Sequence, residues 1–172
     1  MITDYFCTIA YLFFIASAII SNYYYQVNFQ KFYKKSSKFY FIENDSPLFV
    51  IFPYERKIIK LIGNLYVADI ILFFAGYLIL VSKIENNYLT IESAYYFLML
   101  SIFFTLVVII NYYRVLHKEK KALSIQNFTA NSDKNIFVPV PSNIVIYRKI
   151  SYISLLFSQI FILLSFYNKV GL

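Results

Sequence analysis

Four stretches of this chain are almost wholly apolar: Tyr5–Tyr24, Leu61–Val81, Tyr95–Tyr113 and Ile150–Tyr167. Each runs for 18 to 21 residues, which at about 1.5 Å per helical residue matches a hydrocarbon core of about 30 Å. Polar and apolar residues do not alternate within them, which argues against the strands of a membrane barrel. The expected fold class is therefore an all-α integral membrane protein with four transmembrane helices. Composition agrees, with 60% hydrophobic and 15% charged residues, where a soluble domain carries about 25% charged.

The first block differs from a cleaved leader. Asp4 precedes it, no Lys or Arg occurs before Lys31, and Ala16-Ser17-Ala18 is a partial cleavage site at best. It reads as a retained first helix.

The Lys and Arg residues are placed unevenly. Seven lie between the first and second blocks (Lys31, Lys34, Lys35, Lys38, Arg56, Lys57, Lys60), and seven between the third and fourth (Arg114, Lys118, Lys120, Lys121, Lys134, Arg148, Lys149). The link between the second and third has only Lys83, offset by Glu85 and Glu92. Positive charge stays on the side where insertion begins, so both long loops are expected in the cytoplasm (or an organelle matrix) and both termini outside. The net charge of +7 is then mainly topogenic, although nucleic acid remains compatible with it.

Matching pieces recur in the same order. Asn22-Tyr-Tyr is echoed at Asn111, Phe49-Val-Ile-Phe-Pro at Phe137-Val-Pro-Val-Pro, and Arg56-Lys-Ile at Arg148-Lys-Ile, at offsets of 88 to 92 residues. A period of this kind suggests two parallel helix-loop-helix halves, 1–84 and 92–172, related about the membrane normal. Biased composition is the competing explanation, since Tyr, Phe, Ile and Lys are abundant and the spacing between Pro and Arg differs by four residues between the two halves.

Within the loops, Lys31, Lys34, Lys35 and Lys38 recur at helical spacing, and Arg114, Lys118, Lys120 and Lys121 follow the third block. Both sets read as basic stripes near anionic headgroups, on helices prolonged beyond the bilayer. Pro47, Pro53, Pro139 and Pro141 interrupt helix on the return, with short extended segments beside them. Ser124–Lys134 is polar and reads as a mobile loop.

Asp69 is the ionisable side chain well inside a block. A charged carboxylate there costs about 2.5–3.5 kcal/mol on insertion scales. Gln159 lies at comparable depth in the other half, ten residues past Lys149 as Asp69 lies nine past Lys60. The expectation is that the two approach each other, with Asp69 either protonated and bonded to Gln159 or hydrated in a polar path. The plainer alternative is a structural interhelical hydrogen bond. Asn64, Ser82, Ser101, Thr105, Asn111, Ser154 and Ser158 read as further helix–helix contacts, and Ala68, Ala75 and Gly76 as a packing face on the second helix.

No catalytic, cofactor or metal site is expected. Cys7 and His117 are the sole residues of their types, too few for a zinc or haem site, and no nucleophile elbow, P-loop or dinucleotide fingerprint occurs. The skew toward Ile, Asn, Lys, Phe and Tyr, with no Trp, fits an A+T-rich bacterial or organellar genome. The favoured function is a non-enzymatic inner-membrane component. It would form a homo-oligomer or a larger membrane complex and present its basic loops to a cytoplasmic protein partner, by analogy with bacterial stress or phage-defence accessories. Two alternatives are an organelle-encoded subunit of a respiratory complex or ATP synthase in the mitochondrial inner membrane, and a small channel or transporter with its polar path at Asp69.

Overall fold

In the computed structural model, residues 2–35, 53–81, 88–129 and 140–170 are described. They form four helices, α1 (Ile2–Lys35), α2 (Pro53–Val81), α3 (Tyr88–Thr129) and α4 (Ser142–Val170). All are long and apolar enough to cross a bilayer, and no strand occurs among the described residues.

The helices outrun their apolar blocks. α3 has 42 residues and so is about 63 Å long, twice the thickness of the hydrocarbon. Its last stretch, Arg114–Thr129, extends about 24 Å past the apolar block. This corrects the loop reading of Ser124–Lys134, because Ser124–Thr129 is helix and the remainder lies outside the described residues. A run with no Gly or Pro between Tyr113 and Thr129 gives the helix no stop signal. His117 likewise stands on helix rather than in a loop. Prolines set two helix starts. Pro53 is the first residue of α2, where a missing N–H costs nothing. Pro141 O accepts from Ile144 N and Val145 N, at 2.9 and 3.1 Å, to open α4. Pro47, Pro139 and the segments 49–52 and 137–139 lie outside the described residues.

α1 packs chiefly on α4 and α2 on α3, with a smaller α3–α4 seam. Each extensive pair takes one helix from each half of the sequence. A rotation exchanging α1 with α3 and α2 with α4 would carry one pair onto the other.

The bundle is turned inside out relative to a soluble domain. Ser101, Ser151, Ser158, Asp69 and Gln159 are fully buried, whereas Phe6, Ile9, Phe13, Val67, Ile71 and Ile110 are more than half exposed. Lipid, not water, suits such an outer face. The aromatic doublets divide accordingly, with Phe73 buried in the core against Tyr11 and Leu98 while Phe74 faces outward.

The α1–α4 seam is built on small hydroxylated residues. Ser151, Ser154, Ser158 and Ser165 of α4 are all buried, at spacings of three, four and seven that keep one face turned to a neighbour. Ser151 Oγ donates to Ala18 O at 3.0 Å, and Ser17 and Ser154 hydroxyls meet at 3.1 Å. Thr8 and Ser165 pair at 3.2 Å near the other end. Short side chains let the backbones approach, and the hydroxyls find partners that hydrocarbon cannot supply. Outside this seam Phe14 stacks on Phe157 and Phe161, with ring centroids 5.2 and 5.6 Å apart.

Gly76 performs the same service for α2 and α3. A Cβ there would stand 3.1 Å from Leu98 Cγ and 3.2 Å from the Ala94 carbonyl oxygen. By contrast, a Cβ on Gly63 would meet nothing within 4 Å. Gly76→Val is therefore expected to push α3 away and cost about 1–3 kcal/mol. Gly63→Ala should be neutral or gain up to about 1 kcal/mol from helix propensity. Thermal unfolding of the detergent-solubilised protein reads both, and equal effects of the two substitutions would contradict this packing.

Candidate functional site

The largest buried polar cluster sits where α2, α3 and α4 meet. Asp69 comes from α2, Ser101 and Thr105 from successive turns of one face of α3, and Gln159 from α4. Each is 0 or 1% exposed. Ser101 Oγ and Asp69 Oδ1 are 2.5 Å apart, as are Thr105 Oγ1 and Asp69 Oδ2. Gln159 Nε2 donates to Asp69 Oδ1 at 2.9 Å and to Ser101 Oγ at 2.8 Å. Thr105 Oγ1 donates to Gln159 Oε1 at 2.9 Å. The structure thus brings Asp69 and Gln159 together directly, through the two α3 hydroxyls that the sequence marked only as helix contacts.

A count of protons decides the chemistry of this cluster. Five side-chain contacts join the four residues, and each needs one hydrogen. The Ser and Thr hydroxyls bring one apiece and the Gln amide two, which leaves one contact short. The carboxyl supplies the fifth. With a proton on Oδ2, Asp69 donates to Thr105, Thr105 to Gln159, Gln159 to Asp69 and Ser101, and Ser101 to Asp69. The five side-chain contacts are then filled, while Ser101 Oγ lies a further 3.4 Å from the Asp69 carbonyl oxygen. Reversing the Gln159 amide sets its oxygen against both Asp69 Oδ1 and Ser101 Oγ, and fewer contacts are then filled. A neutral carboxylic acid also avoids the cost of an unpaired charge in hydrocarbon.

Along α4, Gln159 lies eleven residues from Arg148, about 16 Å, so this ring stands near mid-bundle. A second constellation surrounds Arg148 itself. Its Nε donates to Tyr152 Oη at 2.8 Å and its Nη1 to Asn22 Oδ1 at 2.6 Å. The rings of Tyr25, Tyr66 and Tyr152 stand 4.9, 5.1 and 4.7 Å from its Cζ, within the range of cation–π attraction. Side chains from α1, α2 and α4 therefore converge on one guanidinium.

The sequence places Arg148 among the loop charges, but it turns inward, as does Tyr25. Tyr23 and Tyr24 remain outside. The four-residue step from Arg148 to Tyr152, which stacks the two on one helix face, is the signal that identifies the inward turn. Lys149, the next residue, instead lies over the outward Tyr113 ring at 5.0 Å.

The basic stripes sit at the Arg148 end of the bundle. Lys31 is exposed near the end of α1, Lys34 and Lys35 fall in its last turn, and Lys38 lies outside the described residues. Arg114, Lys120 and Lys121 are exposed on α3 and Lys118 is half-buried. Asn111 bonds back to its own helix, donating to Val107 O at 2.9 Å. No group of His, Cys, Asp and Glu suited to a metal occurs among the described residues. No protein-family model, curated protein or solved structure matches this chain.

Asp69→Asn tests the proton count. An amide nitrogen in place of the protonated oxygen preserves the ring, so assembly should be unchanged and stability should fall by less than about 1 kcal/mol. Asp69→Leu strands Ser101, Thr105 and Gln159 and should cost about 2 kcal/mol or more. Unfolding of the purified variants distinguishes them; an Asn variant as damaged as the Leu variant would show that a charge is required.

Proposed function

We propose that this chain is a non-enzymatic component of a bacterial cytoplasmic membrane. Its bundle anchors two basic helical extensions for an acidic partner protein on the cytoplasmic side. One observation carries this reading. α1 and α3 both continue past their apolar blocks at the same end of the bundle, where Tyr25 and Phe29 of α1 and Leu116 and Glu119 of α3 line one cavity. Those extensions hold Lys31, Lys34 and Lys35 on one helix and Arg114, Lys118, Lys120 and Lys121 on the other. Helical rods hold charges at fixed spacing, so recognition loses less entropy than with a flexible tail. The excess of Lys and Arg at this end supports a cytoplasmic orientation, with both termini outside.

The closed Asp69 ring supports a structural rather than a conducting role. Its polar atoms bond one another, and a conduction path needs groups left over to receive an ion. The apolar outer faces suit lipid, a second copy or another membrane subunit, and a complex-forming component uses them for assembly.

Three measurements test the proposal. Single cysteines placed at Lys120 and near the C-terminus, in a Cys7→Ala background, should react with an impermeant thiol reagent from opposite sides of the membrane. Native mass measurement should find assemblies heavier than the 20.4 kDa chain. Replacing Lys31, Lys118, Lys120 and Lys121 with Gln should weaken capture of an acidic partner at least about tenfold without unfolding the bundle. A clean monomer whose quadruple variant captures that partner as well as the wild type would overturn the reading.

A further inference from the structure

Beside Arg148 lies a cavity of about 320 Å³, large enough for a small ligand. Its walls are mostly apolar, with Ile62, Val115 and Val145 among them, but Arg148 and Glu119 both line it. Burial pushes the Glu119 carboxyl up to about 7, and Arg148 does not pair with it. Among the described residues no carboxylate lies within 4.0 Å of the Arg148 guanidinium. Two of its N–H groups are used, by Tyr152 and Asn22, and a guanidinium has five. Among the described residues no further acceptor meets the rest. Glu119, half-buried on α3, brings two acceptor oxygens to the same cavity. A guanidinium and a carboxylate set apart in one cavity are complementary to a molecule carrying an anion and a cation a few bonds apart.

The cavity also has a route into the bilayer. α1 and α2 meet through Tyr11 on Phe73 and Tyr77, toward the opposite end of the bundle. At the level of Arg148 the α2 wall is Gly63, exposed and with nothing within 4 Å of its missing Cβ. An apolar tail has an opening there at headgroup depth.

We propose that this cavity is a headgroup site for a zwitterionic aminophospholipid, with its phosphate on the unused N–H groups of Arg148, its primary ammonium on Glu119, and its acyl chains leaving past Gly63 into the lipid. A purely anionic phospholipid satisfies Arg148 but leaves its headgroup beside the Glu119 carboxylate. A phosphate without a tail satisfies one charge and leaves the apolar walls and the opening unfilled. The aromatic cage pre-orients the guanidinium, so little side-chain freedom is lost on binding.

The test uses the full chain, delipidated in detergent and offered equal amounts of phosphatidylethanolamine and phosphatidylglycerol, with retained lipid read by native mass spectrometry. The wild type should retain phosphatidylethanolamine in about tenfold preference, as one charge-assisted contact predicts. Glu119→Gln should reduce that preference to near unity while keeping some binding of both. Gly63→Leu, which fills open space, should lower retention of both lipids about tenfold without lowering the unfolding temperature. Arg148 also ties three helices together, so these two variants, not an Arg148 substitution, decide the matter. Equal retention of both lipids by the wild type, an unaltered preference in Glu119→Gln, or full retention in Gly63→Leu would overturn the proposal. Soluble glycerophosphoethanolamine competing as well as the intact lipid would overturn the assignment to a membrane lipid.

Discussion

Hydrocarbon offers no hydrogen bonds, and that constraint organises the whole interior of this protein. Every polar side chain inside the bilayer must find its partner in another helix or in its own backbone. Asp69 is the severest case. Its carboxyl is satisfied only where α3 brings two hydroxyls one turn apart and α4 brings an amide, so three helices are fixed in register by one residue. The Ser151–Ser165 seam applies the same rule to α1 and α4. Individually such bonds contribute little, about 0.6 to 2 kcal/mol in membrane bundles. Their larger effect is on specificity, because an axial shift by one turn leaves several groups without partners at once.

The two polar centres divide the bundle by depth. Near mid-bundle the groups are neutral and close on one another. At the Lys-rich end the charge is kept, and among the described residues tyrosine rings and one asparagine surround it. A guanidinium tolerates this because its charge is delocalised and weakly hydrated, and its faces suit aromatic rings. An ammonium in the same place would lose its hydration with less in return, and at the next position Lys149 does lie outward.

Much of the fold was legible because a bilayer writes its thickness into the sequence. Four blocks of the right length yield four helices, and depth counted from Lys60 and Lys149 brings Asp69 and Gln159 to one level. The parts that were not legible have physical reasons. Counting Lys and Arg by loop treats all of them as surface charges, and Arg148 is not one. Polarity alone made Ser124–Thr129 a loop, although without Gly or Pro a polar helix simply continues. Ser101 and Thr105 were marked as contacts, but which acceptor each meets depends on how α3 is rotated, and rotation is set by Gly76 against Ala94 and Leu98. The comparison of the two halves offers no such detail, since it concerns topology and leaves side chains aside.

The pairing of α1 with α4 has a consequence for biogenesis. α1 finds its main partner in α4, which lies more than a hundred residues later in the sequence. Until α4 is inserted, Thr8, Ser17 and the Ala18 carbonyl face lipid or the insertion machinery without their serine partners. A product lacking α4 would keep the α2–α3 pair and leave these α1 groups without the side chains that they meet in the bundle.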